Sequence, residues 1–311
     1  MGKYTYGPVP SRRLGRSLGV DLVPMKTCNF NCIYCQLRPT ERTTVERADY
    51  TPVDEVVAEV REHLADGPRP DYVTLGGSGD PTLHLSFGRV AEAVREFTDV
   101  PIALLTNGGL FHLPEVRAAC DAVDLLLPSL DAGDEETFRV VNRPHPSLTL
   151  EMVVDGLAHL HRHARGQMWL EVFIVEGINS SDEQVRAIGR CIERIGPERI
   201  QLNTAVRPPA EAYVRAPTPQ RLEQIRELLG PRAEIIAGGG VFEATPGAVA
   251  RNEEIVAMLR RRPCTADDIA EGLGVRLLVV QKHIQHLLEE GAIHVRQRLY
   301  DTYYEAADGD G

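Results

Sequence analysis

Short apolar segments alternate with amphipathic helical segments along most of the chain. The apolar segments lie at 18–23, 72–75, 102–105, 124–127, 169–175, 199–203 and 234–236. Segments with helical periodicity lie at 134–141, 148–163, 181–195 and 219–229, and a further one follows Thr51 and Pro52. A strand followed by a helix, repeated many times, is typical of a parallel sheet covered by helices. The sequence therefore predicts an α/β fold.

Glycines and polar side chains follow the ends of these predicted strands. The segment after the second strand consists of Gly76, Gly77, Ser78, Gly79 and Asp80. The polar residues near the other strand ends are Thr106, Asn107, Ser129, Asp131, Asn142, Arg143, Glu171 and Asn203. Glycine lets a backbone approach a ligand closely, and α/β barrels place their chemistry at the carboxyl ends of the strands. These residues are candidates for a ligand site; the alternatives are a plain turn, helix caps and surface positions.

Three cysteines lie close together directly after the first predicted parallel strand. Cys28, Cys32 and Cys35 have the spacing C-x3-C-x2-C. Three clustered thiolates can hold an iron–sulfur cluster, whereas a structural zinc site needs a fourth ligand that the flanking sequence does not offer. Buried structural cysteines are the alternative, but the flanking Asn29 and Asn31 fit a core segment poorly. We predict that the three thiols are metal ligands.

The composition limits the class of protein. The 311 residues carry a formal net charge of −11 at pH 7, which argues against a uniformly basic nucleic-acid-binding protein. No apolar run is long enough to cross a membrane, and the first residues lack the apolar stretch of a secretory signal. The other cysteines, Cys120, Cys191 and Cys264, are too far apart to suggest a set of disulfides. We expect a cytoplasmic protein without a membrane partner.

The pattern changes near residue 249. Residues 249–305 contain three short helical segments and then a two-stranded segment, which together resemble a winged helix-turn-helix module. Arg276, Lys282 and His286 could contact phosphate, but acidic residues surround them. Nucleic-acid binding, contact with a protein or peptide, and a packing role all remain open for this module. We predict that residues 1–245 form the α/β domain and that 306–311 form a disordered tail.

The cysteine motif and the glycine-rich segment together resemble those of the radical S-adenosylmethionine (SAM) superfamily. Tyr34 supplies the aromatic residue that precedes the last cysteine of the motif. The resemblance implies a partial (β/α)6 TIM-type barrel, with a [4Fe-4S] cluster on the three cysteines. It also implies that SAM is bound by the glycine-rich segment from Gly76 to Asp80 and by the polar residues near the strand ends.

The implied activity is reductive cleavage of SAM to a 5′-deoxyadenosyl radical, which abstracts hydrogen from a substrate. A one-electron reductant such as flavodoxin or ferredoxin is the implied partner. The substrate class stays open between a tRNA base, a peptide and a small molecule, and no catalytic residue can be named. The alternative is an iron–sulfur redox sensor that regulates transcription through the winged helix.

Two further segments narrow the resemblance within the superfamily. The run from Gly7 to Asp21 and the run from Gln201 to Thr204 resemble the branch that includes the tRNA wyosine synthases. This chain differs from the archaeal wyosine synthases in two respects: no cysteine precedes Cys28, and Lys26 is the only lysine near the cysteines.

Overall fold

One eight-stranded sheet, with its strands in chain order, forms the main body of the protein. The computed structural model describes residues 3–11, 13–37, 39–40, 42–206, 209–236, 250–261, 263–298 and 301–307. The strands are β1 (Thr5–Ser11), β2 (Gly15–Val20), β3 (Tyr72–Leu75), β4 (Ile102–Thr106), β5 (Leu125–Pro128), β6 (Gln167–Ile174), β7 (Arg199–Thr204) and β8 (Ala233–Ile235). Strands β2 to β8 are parallel, and β1 pairs antiparallel with β2. The predicted α/β fold is confirmed.

Helices connect the parallel strands. They are α1 (Val53–Asp66), α2 (Phe87–Arg95), α3 (Pro114–Ala118), α4 (Glu135–Val141), α5 (Leu150–His163), α6 (Asp182–Ile195) and α7 (Pro219–Leu229). The side chains of Asp134, Thr149, Ser181 and Thr218 accept hydrogen bonds from backbone N–H groups of the first turns of α4, α5, α6 and α7. These caps satisfy donors that the helix itself leaves unpaired.

Two predictions near the N-terminal end of the sheet were wrong in detail. The segment Thr5–Ser11, for which the sequence analysis gave no strand, is strand β1, and the next strand is Gly15–Val20 rather than 18–23. Pro8 and Pro10 obscure the strand pattern, yet proline is tolerated in a strand that lies at the edge of a sheet. β1 has β2 as its neighbour and ends the sheet.

The sheet has a helix-covered face and a concave face. Leu104, Leu126 and Leu170 lie in one core with helix residues such as Val56 and Ile188. Because side chains alternate along a strand, the neighbouring residues face the other way. There Ala103, Leu125 and Leu127 form a second core with Leu14, which follows the β1–β2 turn. Among the described strands β1 and β8 do not pair, so the sheet is a partial barrel, as predicted.

A smaller unit follows the barrel. It consists of α8 (Asn252–Arg261), α9 (Ala266–Leu273), α10 (Leu277–Glu289) and the hairpin of β9 (Ile293–Arg298) and β10 (Asp301–Ala306). Its own core includes Ile255, Ile269, Val280, Ile284 and Ile293. These elements match the predicted three helices and hairpin.

The smaller unit contacts the barrel. Helix α9 contacts β1, and the Tyr303 hydroxyl donates a hydrogen bond to the Val206 carbonyl oxygen (2.6 Å). Ala306, which we predicted to begin a disordered tail, is the last residue of β10. Residues 308–311 of that tail, and Gly238, Gly239 and Gly240, lie outside the described residues. None of the helices within the described ranges is long and apolar enough to span a membrane.

Candidate active site

The loop that carries the cysteines is bonded to the segment that follows α4. The loop leaves the carboxyl end of β2 and runs to α1. The backbone N–H of Asn31 donates to the Asn142 carbonyl oxygen (3.0 Å), that of Ile33 to Val141 (3.0 Å), and that of His145 to Asn29 (2.8 Å). The turn between these bonds is made by Arg143, whose φ of 43° lies in the left-handed region. Two segments that are distant in sequence therefore form one backbone unit around the thiols.

The three thiols are partly exposed and lie close to carboxylates and amides. Burial raises the pKa of the Cys28 thiol to about 12 and the pKa of the Cys32 thiol well above its usual range, and nearby Asp80 and Asp131 act in the same direction. Burial also raises the pKa of Cys35. Without a metal the thiols are thus neutral, and metal binding must release their protons.

The thiols suit an iron–sulfur cluster better than a single ion. A zinc site needs four ligands around one ion, whereas each thiolate of a cluster binds its own iron atom. Two buried polar atoms beside the thiols, Asn29 Nδ2 and Asn142 Oδ1, have no hydrogen-bond partner among the residues that the structure describes. A donor and an acceptor are therefore available to a bound group.

The glycine-rich segment after β3 lies directly against the cysteine loop. A Cβ on Gly77 would overlap the Asp21 carboxylate, and one on Gly79 would overlap the Thr27 carbonyl oxygen. Asp21 accepts hydrogen bonds from the backbone N–H (2.5 Å) and the hydroxyl (2.8 Å) of Ser78. Only glycine fits at positions 77 and 79 without displacing these neighbours. The segment thus brings its backbone next to the loop that holds the thiols.

Replacing Gly79 with alanine is expected to destabilise the fold by about 1–3 kcal/mol, because the new methyl group meets backbone that cannot easily move. The free energy of unfolding in urea would measure the change. Gly189→Ala is the matched control. Its Cβ would meet only Leu229 at 3.6 Å, and alanine should stabilise helix α6 by up to about 1 kcal/mol. Equal effects of the two substitutions would contradict this explanation.

Asp80 binds the ends of two strands together. Its carboxylate accepts from the hydroxyl of Thr106 (2.8 Å), the backbone N–H of Asn107 (2.8 Å), and the hydroxyl and backbone N–H of Thr82. Burial raises the pKa of Asp80, and these hydrogen bonds oppose that shift. Thr106 and Asn107 were predicted to belong to the site, and the structure shows that they are held beside the glycine-rich segment by Asp80.

Asp131 joins three segments in the same way. Its carboxylate accepts from the Tyr34 hydroxyl, the Asn142 side-chain amide (2.6 Å) and the Phe173 backbone N–H (2.8 Å). Burial raises the pKa of Asp131 to about 6. The Tyr34 ring stacks on Phe173, with ring centroids 3.9 Å apart. The cysteine loop, the end of α4 and strand β6 therefore meet at one carboxylate.

Glu171 and Asn203 lie on the concave face of the sheet. The Asn203 amide donates to Glu171 (3.0 Å), and the guanidinium of Arg13, from the β1–β2 turn, forms an ion pair with the same carboxylate. We had predicted that Glu171 lies near the end of a strand, but it lies within β6. Ser129 pairs with Glu171 across the two neighbouring strands, and its backbone N–H donates to Thr106 (3.2 Å).

Arg143 differs from the other predicted residues. Its guanidinium is bonded to Glu211 (2.5 Å) and to the Tyr213 hydroxyl (3.1 Å), both in the segment that follows β7. The sequence analysis also missed three residues that contact the site: Asp21, Asn29 and Arg13. Asp21 and Arg13 belong to the quoted N-terminal run, and Asn29 follows the first cysteine, so the signal was present but no role was assigned.

Comparisons with known proteins agree with this geometry. Residues 22–189 match the family model of the radical SAM superfamily. A UPF0026 protein of Methanocaldococcus jannaschii is 32% identical over 275 residues, which are 86% of this chain and 84% of that protein. A protein of Brachyspira hyodysenteriae named GTPase Obg is 35% identical over 94% of this chain, but the chain spans only 43% of that protein.

A solved structure has the same fold. The radical SAM methyltransferase from Sphaerobacter thermophilus superposes with a TM-score of 0.53 and 17% identity, covering 72% of this chain and 67% of that one. The residues around the three thiols fit the cofactors of the superfamily, since they supply three soft ligands, a glycine-bordered approach and two unpaired polar atoms. The chain therefore belongs to the radical SAM superfamily and is an enzyme that uses a [4Fe-4S] cluster and SAM.

Proposed function

We propose that this enzyme cleaves SAM reductively and uses the product to abstract hydrogen from a substrate held at the carboxyl end of the barrel. The observation that carries the proposal is the contact of the glycine-rich segment with the cysteine loop. Gly79 lies against the Thr27 carbonyl oxygen, next to Cys28. Thiols that suit a cluster and a backbone that suits a polar ligand therefore border the same space.

The roles of the chain's own residues follow from their positions. Cys28, Cys32 and Cys35 hold the cluster, and no fourth thiol is available nearby in the sequence. When bound, the cluster would supply the electron for reductive cleavage of SAM.

The backbone from Gly76 to Asp80 offers C=O groups that can accept hydrogen bonds from the amino group of SAM. The remaining proposed SAM-binding residues are Thr106, Asn107, Ser129, Asp131, Asn142, Arg143, Glu171 and Asn203. Asn142 has the best supported role among them, because its buried Oδ1 has no hydrogen-bond partner in the described part of the chain.

The reductant in this proposal is a small one-electron carrier such as flavodoxin or ferredoxin. The partly exposed thiols, and the exposed Met25 at the start of their loop, leave an approach for such a protein. A reducing compartment, the cytoplasm, suits a cluster of this kind, and the three remaining cysteines are free and buried.

The smaller unit borders the same end of the barrel. Tyr303 contacts Val206, and the segment that follows continues to Glu211 and Tyr213, which hold Arg143 beside the cysteine loop. We propose that this unit is a winged helix that helps to hold a macromolecular substrate, a tRNA or a peptide. The exposed face of α10 carries Lys282 and Glu289 together, which does not favour the alternative of a duplex-binding redox sensor.

The relation to the tRNA wyosine synthases is part of the same proposal. Arg13 comes from the N-terminal run that carries this resemblance, and Asn203 comes from the run that starts at Gln201. Both bind Glu171 on the concave face of the barrel. Two segments far apart in sequence thus converge on one carboxylate inside the barrel, which supports a shared role for them.

The test is anaerobic assembly of the protein with iron and sulfide, followed by addition of dithionite and SAM. We expect 5′-deoxyadenosine and methionine in equal amounts. A protein with an intact cluster, shown by its electron paramagnetic resonance (EPR) spectrum, that forms no 5′-deoxyadenosine would reject the proposal. Addition of unmodified tRNA in one arm and of a peptide mixture in another distinguishes the two substrate classes, because the correct one should accelerate 5′-deoxyadenosine formation.

A further inference from the structure

We propose that Asn107 and Asn142 are positioning residues that donate side-chain N–H···S hydrogen bonds to two of the three cluster ligands and thereby raise the reduction potential of the cluster. The inference rests on the proposed cluster at these thiols. Asn107 Nδ2 lies 3.4 Å from Cys28 Sγ, and Asn142 Nδ2 lies 3.6 Å from Cys32 Sγ. Both distances are within the range of hydrogen bonds to sulfur.

The orientation of the Asn142 amide is fixed by a carboxylate. Its Nδ2 donates one proton to Asp131 (2.6 Å), and Asp131 is itself held by the backbone N–H of Phe173 (2.8 Å). An amide NH₂ group is planar and carries two protons. Because one N–H of the Asn142 amide donates to Asp131, the other N–H is directed away from that carboxylate. Cys32 Sγ lies within reach of this second N–H. A flipped amide would place an oxygen against the Asp131 carboxylate, so the hydrogen-bond network places Nδ2 on that side.

The position of Asn107 is fixed by one backbone contact and two side-chain contacts. Its backbone N–H donates to Asp80 (2.8 Å), and its Oδ1 accepts from the Gly109 backbone N–H (2.9 Å). Its Nδ2 donates one proton to the side-chain oxygen of Asn29. The second proton of Nδ2 is then available to Cys28. As at the other site, an asparagine bound to a buried aspartate presents an N–H group to a thiol.

The two amides lie next to buried carboxylates. Asp80 and Asp131 are buried, and each interacts unfavourably with the charged form of a nearby thiol. Adding an electron to the cluster increases the negative charge in this region. Hydrogen bonds to cluster sulfurs are one of the means by which a protein sets the reduction potential. Removal of either hydrogen bond should therefore make reduction of the cluster harder. The reduction potential should fall by a similar amount in the two cases.

The experiment is a redox titration of the assembled protein, followed by EPR of the reduced cluster. For Asn107→Ala and for Asn142→Ala we expect the equilibrium of reduction to fall by roughly tenfold, which for a one-electron couple is a midpoint shift of about 59 mV to more negative values. Asn179→Ala is the matched control. Asn179 is buried, and its side-chain amide is hydrogen-bonded to the backbone of Asp131, Phe173 and Val175 and not to sulfur. Its loss should leave the reduction potential unchanged.

A measurement on the unaltered protein covers variants that fail to fold. Protein labelled with ¹⁵N only in asparagine side chains should show ¹⁵N coupling to the reduced cluster in pulsed EPR spectra. Absence of that coupling, or potentials in both variants equal to that of the native protein, would overturn the inference and leave the proposed function intact. A protein that binds no cluster at Cys28, Cys32 and Cys35 would overturn both.

Discussion

Cys32→Ala is expected to abolish formation of 5′-deoxyadenosine. The substitution removes one of three ligands, and two thiolates hold an iron–sulfur cluster poorly. The loss should exceed the 10- to 100-fold that is typical when a group behind a metal ligand is removed. Bound iron and sulfide, the visible absorption of the cluster and the rate of SAM cleavage should all fall together.

Cys191→Ala is the control for this prediction. Cys191 is a buried free cysteine in α6 and belongs to the helix-covered core, far in sequence from the cysteine loop. Its replacement should leave iron content and SAM cleavage close to those of the native protein. A Cys32→Ala protein that keeps a full cluster would show that the ligands have been wrongly assigned.

Asp131→Ala is expected to destabilise the folded protein by about 3–5 kcal/mol. The carboxylate accepts hydrogen bonds from Tyr34, Asn142 and Phe173. Its removal leaves these buried donors unpaired, and each orphaned buried group costs about 1–3 kcal/mol. Urea denaturation of the protein without cofactors, followed by circular dichroism, measures the effect.

Asp155→Ala provides the comparison. Asp155 forms an ion pair with Arg194 on the surface, and its side chain is 65% exposed. Such a pair contributes about 0–1 kcal/mol, and alanine favours the helix. A similar loss of stability in both variants would mean that the contacts of Asp131 do not stabilise the fold as described.

Much of the fold could be predicted because parallel strands covered by helices read as short apolar runs. Leu125–Pro128 and Trp169–Ile174 are examples. Strand β1 was missed because its prolines hide the pattern, and its pairing with β2 depends on a turn whose residues are polar. Helix α3 was not predicted, since its five residues are too few to show a helical period.

The sequence predicts which polar residues lie near the strand ends, but it does not predict the contacts between them. Strand order brings the strand ends together, so Asp80, Thr106 and Asn107 follow from the alternation of strands and helices. The contact between Cys32 and Asn142 does not follow, because it depends on the backbone turn at Arg143 and on the hydrogen bonds between the two loops. A side chain 110 positions away from its sulfur partner leaves no local signal.

The β1–β2 turn covers the interior of the barrel near the amino-terminal ends of the strands. Leu14 packs against Ala103, Leu125 and Leu127, and Arg13 reaches Glu171 from the same turn. These contacts fill the interior of the barrel near the amino-terminal ends of the strands. We therefore expect a ligand to enter the barrel at the carboxyl ends of the strands, where the loop with the three thiols begins.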